Sequence, residues 1–254
     1  ARDKLLESMT SDVATHVLRH NYDQSLALSL AEHTSAADLD AHERFMARLE
    51  ELGQLDREVE GLPSVEQVRG LKAREKGLTR PELAVLTSYA KITLFDQLVA
   101  SDVPDDPHFK SMLVNYFPKG LHDFGEAMEG HRLKREIIST VLANEMINLG
   151  GPTFIHRAID STTATVPAIA RAFEAGRQIF GFAEITDAIN ALDNKAPASV
   201  QVALHEEIIR LLRRQTYWLV RRGRNKKSAK PDAIGDVIGA YQPGVQSLRS
   251  MVHE

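Results

Sequence analysis

The chain has 254 residues and not one cysteine. This removes disulfides, thiolate metal sites and a cysteine nucleophile, and it is compatible with a reducing cytoplasm. Long apolar runs are missing too: no stretch approaches the roughly 20 residues needed to span a bilayer, so no membrane segment is expected. Strand signals are nearly absent. No period-two run of β-branched residues sits between hairpin turns, which leaves nothing from which to build a dinucleotide-binding sheet. No G-x-G-x-x-G or G-x-x-x-x-G-K-[ST] loop offers a phosphate cradle, and no G-x-S-x-G elbow holds a serine for attack. His16 and His20 stand four apart, a spacing that can turn two imidazoles to one helix face, but no H-E-x-x-H glutamate and no third ligand accompany them. No catalytic, cofactor-binding or metal-ligating residue is therefore assigned from the sequence.

What is present is helical. Hydrophobic residues make up 43% and charged residues 26%, the ordinary globular range, so neither disorder nor a membrane protein is indicated. The net charge of -4 argues mildly against a general nucleic-acid binder. The opening ARDKLLESMT has no initiator Met and no signal-peptide pattern, and reads as part of a longer polypeptide. No repeat of solenoid period is evident.

The best-punctuated segment is GLTRPELAVLTSYAKITLFDQLVASDVPDD, Gly77 to Asp106. Thr79 and Glu82 form a T-x-x-E capping box, and Pro81 falls in the first turn, where backbone donors lack intrahelical partners. Leu83, Leu86, Ala90, Leu94 and Leu98 make one apolar row; Val85, Tyr89, Ile92, Phe95 and Val99 make a second beside it, so burial over a wide arc is expected. A second long helix is expected within HRLKREIISTVLANEMINLGGPTFIHR, closed by Gly150 in the left-handed conformation. Ser64 and Gln67 match a further capping box opening a helix that runs to Gly77. Thr165 is expected to cap a helix with Pro167 in its first turn, followed by helices over 182–192 and 198–222.

Upstream, two or three helices are expected, one over 10–30 with Val13, Val17 and Tyr22 inward, and another starting after Ser35. Residues 38–60 are acid-rich and sparsely apolar, and read as a solvated hairpin or arm. The run Arg210 to Lys230, RLLRRQTYWLVRRGRNKKSAK, holds nine basic residues and no acidic one. With Tyr217 and Trp218 interleaved it could meet nucleic acid or an acidic partner. A solvated helical face or protein interface is the favoured reading, because cations suit a helix C-terminus and long basic side chains cover apolar surface. The fold class is all-α, a multi-helix bundle or array without substantial sheet.

The two long blocks above, together with ALDNKAPASVQ, closely resemble the C-terminal helical region of bacterial large-subunit NAD-specific glutamate dehydrogenases, in the same order and spacing. Weaker similarity runs through RDKLLESMTSDVATHVLRHNYDQSLALSLAE and PDAIGDVIGAYQPGVQSLRSMV, so the resemblance covers nearly the whole chain. It implies a parent polypeptide that oxidatively deaminates L-glutamate with NAD, using catalytic groups in a separate upstream domain. No position here matches those motifs. The implied organisation is an N-terminal helical arm over 1–62 leading from that catalytic domain and a main helical domain over 63–254. The implied role is noncatalytic support of assembly or regulation, in a cytoplasmic homo-oligomer. The alternative is a helical scaffold that binds an acidic partner or nucleic acid through 210–230, and a third reading is a ligand-sensing bundle with a cavity beneath the two wide-faced helices.

Overall fold

The computed structural model describes residues 2–224 and 233–252. Among these residues every regular element is helical and no strand occurs. They divide into two compact units, Ala1–Thr153 and Phe154–Glu254. The division at 62/63 implied by the resemblance lies inside the first unit.

The first unit opens with α1, Arg2–Glu51, a single helix of 50 residues. The two or three helices expected here merge because neither glycine nor proline interrupts the sequence before Gly53. Ser35 does not start a helix: it lies inside α1, buried, and its hydroxyl donates to the Leu78 carbonyl at 2.9 Å. Val13 and Val17, expected inward, are exposed, whereas Leu30, Leu39, Phe45, Met46 and Leu49 are buried. The segment 38–60 is thus no solvated arm. Its charge is neutralised locally: Arg57, 6% exposed, donates to both Glu43 oxygens at 2.8 and 3.1 Å, pairs with Glu50 at 2.9 Å and donates to the Pro63 carbonyl at 3.2 Å. Burial opposes the Arg57 charge, but the two carboxylates outweigh it and hold its pKa above the ordinary value.

Helix α2, Val65–Ala73, is opened by the expected capping box: Ser64 N–H donates to Gln67 Oε1 at 2.7 Å and Gln67 N–H to Ser64 Oγ at 3.2 Å. It stops short of Gly77 because the chain turns back there, with Glu75 at φ 54°. Gly77 itself lies against α1, where a Cβ would collide with the backbone of Ser35 and Ala36.

Helix α3, Arg80–Val99, follows. Glu82 accepts from Thr79 N–H at 2.6 Å and from the Thr79 hydroxyl at 2.7 Å. The first apolar row is buried throughout, Leu83, Leu86 and Leu98 completely; the second is half-buried, and Ile92 is exposed. At roughly 1.5–3 kcal/mol per fully buried leucine, the first row is what fixes α3 in the core. Two short helices, α4 (Lys110–Tyr116) and α5 (Gly125–Glu129), lead to α6, Lys134–Gly150. From α6, Arg135 donates to the Val99 and Ser101 carbonyls at 2.7 and 2.6 Å and pairs with Asp105. A cation thereby satisfies the free carbonyls at the negative end of α3. Gly151, not Gly150, takes the positive φ, 87°, that closes α6.

The second unit comprises α7 (Phe154–Thr162), α8 (Val166–Phe180), α9 (Phe182–Asn190), α10 (Ala198–Arg224) and α11 (Ile234–Val252). Thr165 occupies the N-cap of α8 with Pro167 in its first turn, as expected, and Gly181 at φ 64° separates α8 from α9. Phe154, Phe173, Phe182 and Leu212 are buried; Phe154 and Phe173 pack edge-on at 6.0 Å. On α10 the expected stripe is buried at Ile208, Leu212 and Leu219 and exposed at Val200, Leu204 and Leu211.

Candidate functional site

The reactive residue types fall into separate, structurally explained positions. His16 and His20 are exposed on α1, and among the described residues no group of three or more His, Cys, Asp or Glu side chains is placed to hold a metal ion. Lys91 on α3 is half-buried, and burial lowers its pKa; it forms no hydrogen bond with a described residue. Arg157 lies on α7, where its charge, with that of Arg213, favours ionisation of Tyr217 against a stronger effect of burial that pushes the phenol up.

Polar groups inside the second unit meet in three separate clusters. Glu174 is 2% exposed and accepts from Arg177 Nε and Nη2 at 2.9 and 3.0 Å and from Gln178 Nε2 at 2.6 Å. Gln215 and Thr216 are buried, and Gln215 Nε2 donates to Thr216 Oγ1 at 3.0 Å. The Gln215 amide lies directly against the backbone of α8 at Gly176, where a Cβ would overlap it. His205, 3% exposed, places Nε2 3.1 Å from Asn190 Oδ1. Burial lowers its pKa, with Asp193 a weaker opposing influence. A nucleophile with an adjacent base is not among these contacts, and Gln215 Oε1 is buried without a hydrogen-bond partner among the described residues.

The basic run is not one charged face. Arg210 pairs within its helix with Glu206 and Glu207 at 3.3 and 2.7 Å, and Arg221 donates to the Ser161 carbonyl at 3.1 Å. Arg222 lies over two rings, 5.6 Å from the centroids of both Trp218 and Tyr241. Residues 225–230 of the run, and the side chain of Arg224, lie outside the described residues.

Those rings border a concavity of the unit. A cavity of about 290 Å³ opens between α8, α10 and α11. Its buried walls include Ile179 and Leu219; its exposed edge includes Trp218 and Leu248. Tyr241 packs edge-on against Trp218 at 5.1 Å, and Gly244 leaves one side without a side chain. Trp218 stands out in the sequence among the basic residues, whereas Tyr241 and Gly244 carry no comparable local mark. The available signal was the Trp218–Arg222 spacing of four and the cluster Gly235, Gly239, Pro243 and Gly244 inside one helix.

Fold and side chains together define an all-helical domain with structural polar networks and no assembled reaction centre among the described residues. The family described as glutamate dehydrogenase, C-terminal, matches residues 75–254, and the chain belongs to it. Proteins named NAD-specific glutamate dehydrogenase are similar to it in Halomonas elongata (43% identical over 99% of this chain), Pseudomonas aeruginosa (41% over 100%) and Mycobacterium tuberculosis (31% over 100%). In each case the chain spans 15% of the relative's length.

Proposed function

We propose that the chain is an accessory, noncatalytic helical domain of an NAD-dependent glutamate dehydrogenase, supporting the assembly or regulation of the enzyme. In the parent reaction L-glutamate, NAD and water give 2-oxoglutarate, ammonium and NADH; the hydride-transfer machinery belongs to other parts of the polypeptide. The observation that carries this reading is the match of nearly the whole chain to 15% of each similarly named relative. The all-helical content of the described residues agrees with it, since dinucleotides are usually bound by a parallel sheet with a glycine-rich turn. The catalytic domain of the same polypeptide is the proposed partner, within a cytoplasmic homo-oligomer. Among the described residues no helix is long and apolar enough to cross a membrane.

The test uses the purified 254-residue chain. With glutamate and NAD it is expected to produce no NADH absorbance and no calorimetric NAD binding; turnover by the pure chain would refute the proposal. Deleting the corresponding segment from a full-length relative is expected to weaken assembly or change effector response. Full retention of both would remove the accessory role.

A further inference from the structure

We propose that the cavity between α8, α10 and α11 is a binding site for an apolar carboxylate, with the hydrocarbon body inside and the carboxylate on Arg222. This site rests on the second unit alone and is independent of the catalytic assignment of the parent. At about 290 Å³ it lies near the lower end of the roughly 300–1,000 Å³ spanned by small-molecule clefts. Its lining comes from Ile179, Leu219, Val245 and Leu248 together with the Trp218 and Tyr241 rings. That surface favours burial of an apolar body and gives no reward to a fully polar ligand.

The sign of the head group follows from Arg222. Its guanidinium is held over both rings at 5.6 Å, and no carboxylate among the described residues pairs with it. With no carboxylate among the described residues on it, the guanidinium keeps its fork of N–H groups for the two-pronged hydrogen bonding that a carboxylate matches. Arg249 differs, lying 3.8 Å from Glu184. The Trp218 indole N–H and the Tyr241 hydroxyl make no hydrogen bond with a described protein group, so both rings lining the cavity keep a donor.

The space has a backbone origin. A Cβ at Gly244 would meet nothing within 4 Å, so a side chain there would enter open volume. Pro243, just before it, lacks the N–H that would otherwise continue the α11 ladder. Glycine and proline inside a helix lower its stability relative to alanine, proline by more. Of the glycines in α11, Gly244 is the one that lines the cavity, next to Pro243.

Trp218 is the sole tryptophan of the chain and reports directly on this site. Titration of the full chain with decanoate, below its micelle-forming concentration, is expected to change Trp218 fluorescence saturably and to give a matching calorimetric isotherm. Decanol and decyltrimethylammonium separate the head-group charge from the apolar chain and are expected to bind at least about tenfold more weakly, the scale of one charge-assisted hydrogen bond. Arg222→Gln should weaken decanoate to the level of decanol. Gly244→Leu should abolish binding while far-UV circular dichroism and thermal midpoint are retained. Absence of a saturable isotherm, equal binding of all three probes, or undiminished binding to a folded Gly244→Leu variant would overturn the proposal. Concentration-dependent self-association lost on Gly244→Leu would also overturn it, by assigning the groove to a second copy.

Discussion

In the first unit a glycine lets two backbones meet, Gly77 against Ser35 and Ala36; in the second a glycine lets a side-chain amide meet a backbone, Gln215 against Gly176. The same contrast runs through the two interiors. The first is aliphatic along α3 and is fastened by arginines that donate to main-chain carbonyls, Arg57 to Pro63 and Arg135 to Val99 and Ser101. In the second, the buried Glu174, His205 and Gln215 meet other side chains instead: Arg177 and Gln178, Asn190, and Thr216. Contacts between fixed backbones tolerate little change, whereas a side-chain partner can move at a moderate cost.

The largest effect that would test this contrast is expected from Leu98→Ala. It removes a completely buried leucine, and such truncations cost about 2–5 kcal/mol. The loss should appear as reduced hydrogen-exchange protection in α3 and α6, with α8 and α10 unchanged; a common loss in both units would break the division. Next comes Gly77→Ala, which drives a methyl group into backbone and is expected to cost about 1–3 kcal/mol by overpacking. Replacing Ser35 as well should not restore the urea midpoint, because backbone atoms remain in the way.

Gly176→Ala should cost less, about 1 kcal/mol, since the improved helix propensity of alanine offsets part of the overlap. Gln215→Ala in the same chain should recover stability beyond the sum of the single effects, and a double-mutant cycle reads this coupling. Additive effects would show that the amide does not press on Gly176 in solution.

The smallest effect is a pH slope from His205. Its folded pKa is lowered by burial, while the unfolded chain titrates near 6.5. Below that value the unfolded state takes up the proton first, so stability is lost as pH falls from about 6.5 through the lower folded value. His205→Gln should flatten this part of the urea-midpoint profile; an unchanged slope would assign it to other groups.

Local grammar was legible where a few adjacent residues decide the outcome. The Ser64–Gln67 box, the Thr79–Glu82 pair, Thr165 with Pro167 and the buried row of α3 all follow from short-range spacing. Long-range partners override that local grammar elsewhere. Ser35 resembles a cap until Leu78, 43 residues away, supplies an acceptor for its hydroxyl in mid-helix. Residues 38–60 look solvated until Arg57 folds back onto Glu43 and Glu50. Likewise Trp218 and Tyr241 are 23 positions apart in sequence, so only packing of α10 against α11 turns two aromatics into one edge of a cavity. The position of Gly151 instead of Gly150 at the end of α6 shows that a pair of glycines marks a stop without specifying which one reverses its φ.

Helix α1 has a further consequence for how the molecule comes apart. Its 50 residues extend about 75 Å at 1.5 Å per residue. From Ala27 onward it has buried positions at nearly every turn, while most of the preceding half is exposed and is tied near Asp12 by one hydrogen bond from the Lys119 N–H. A continuous helix thus joins a well-anchored end to one supported chiefly by its own hydrogen bonds. Opening of the exposed half before Ala27 should therefore precede loss of the buried half, so that the rod melts in two stages without first dismantling the core around Met46.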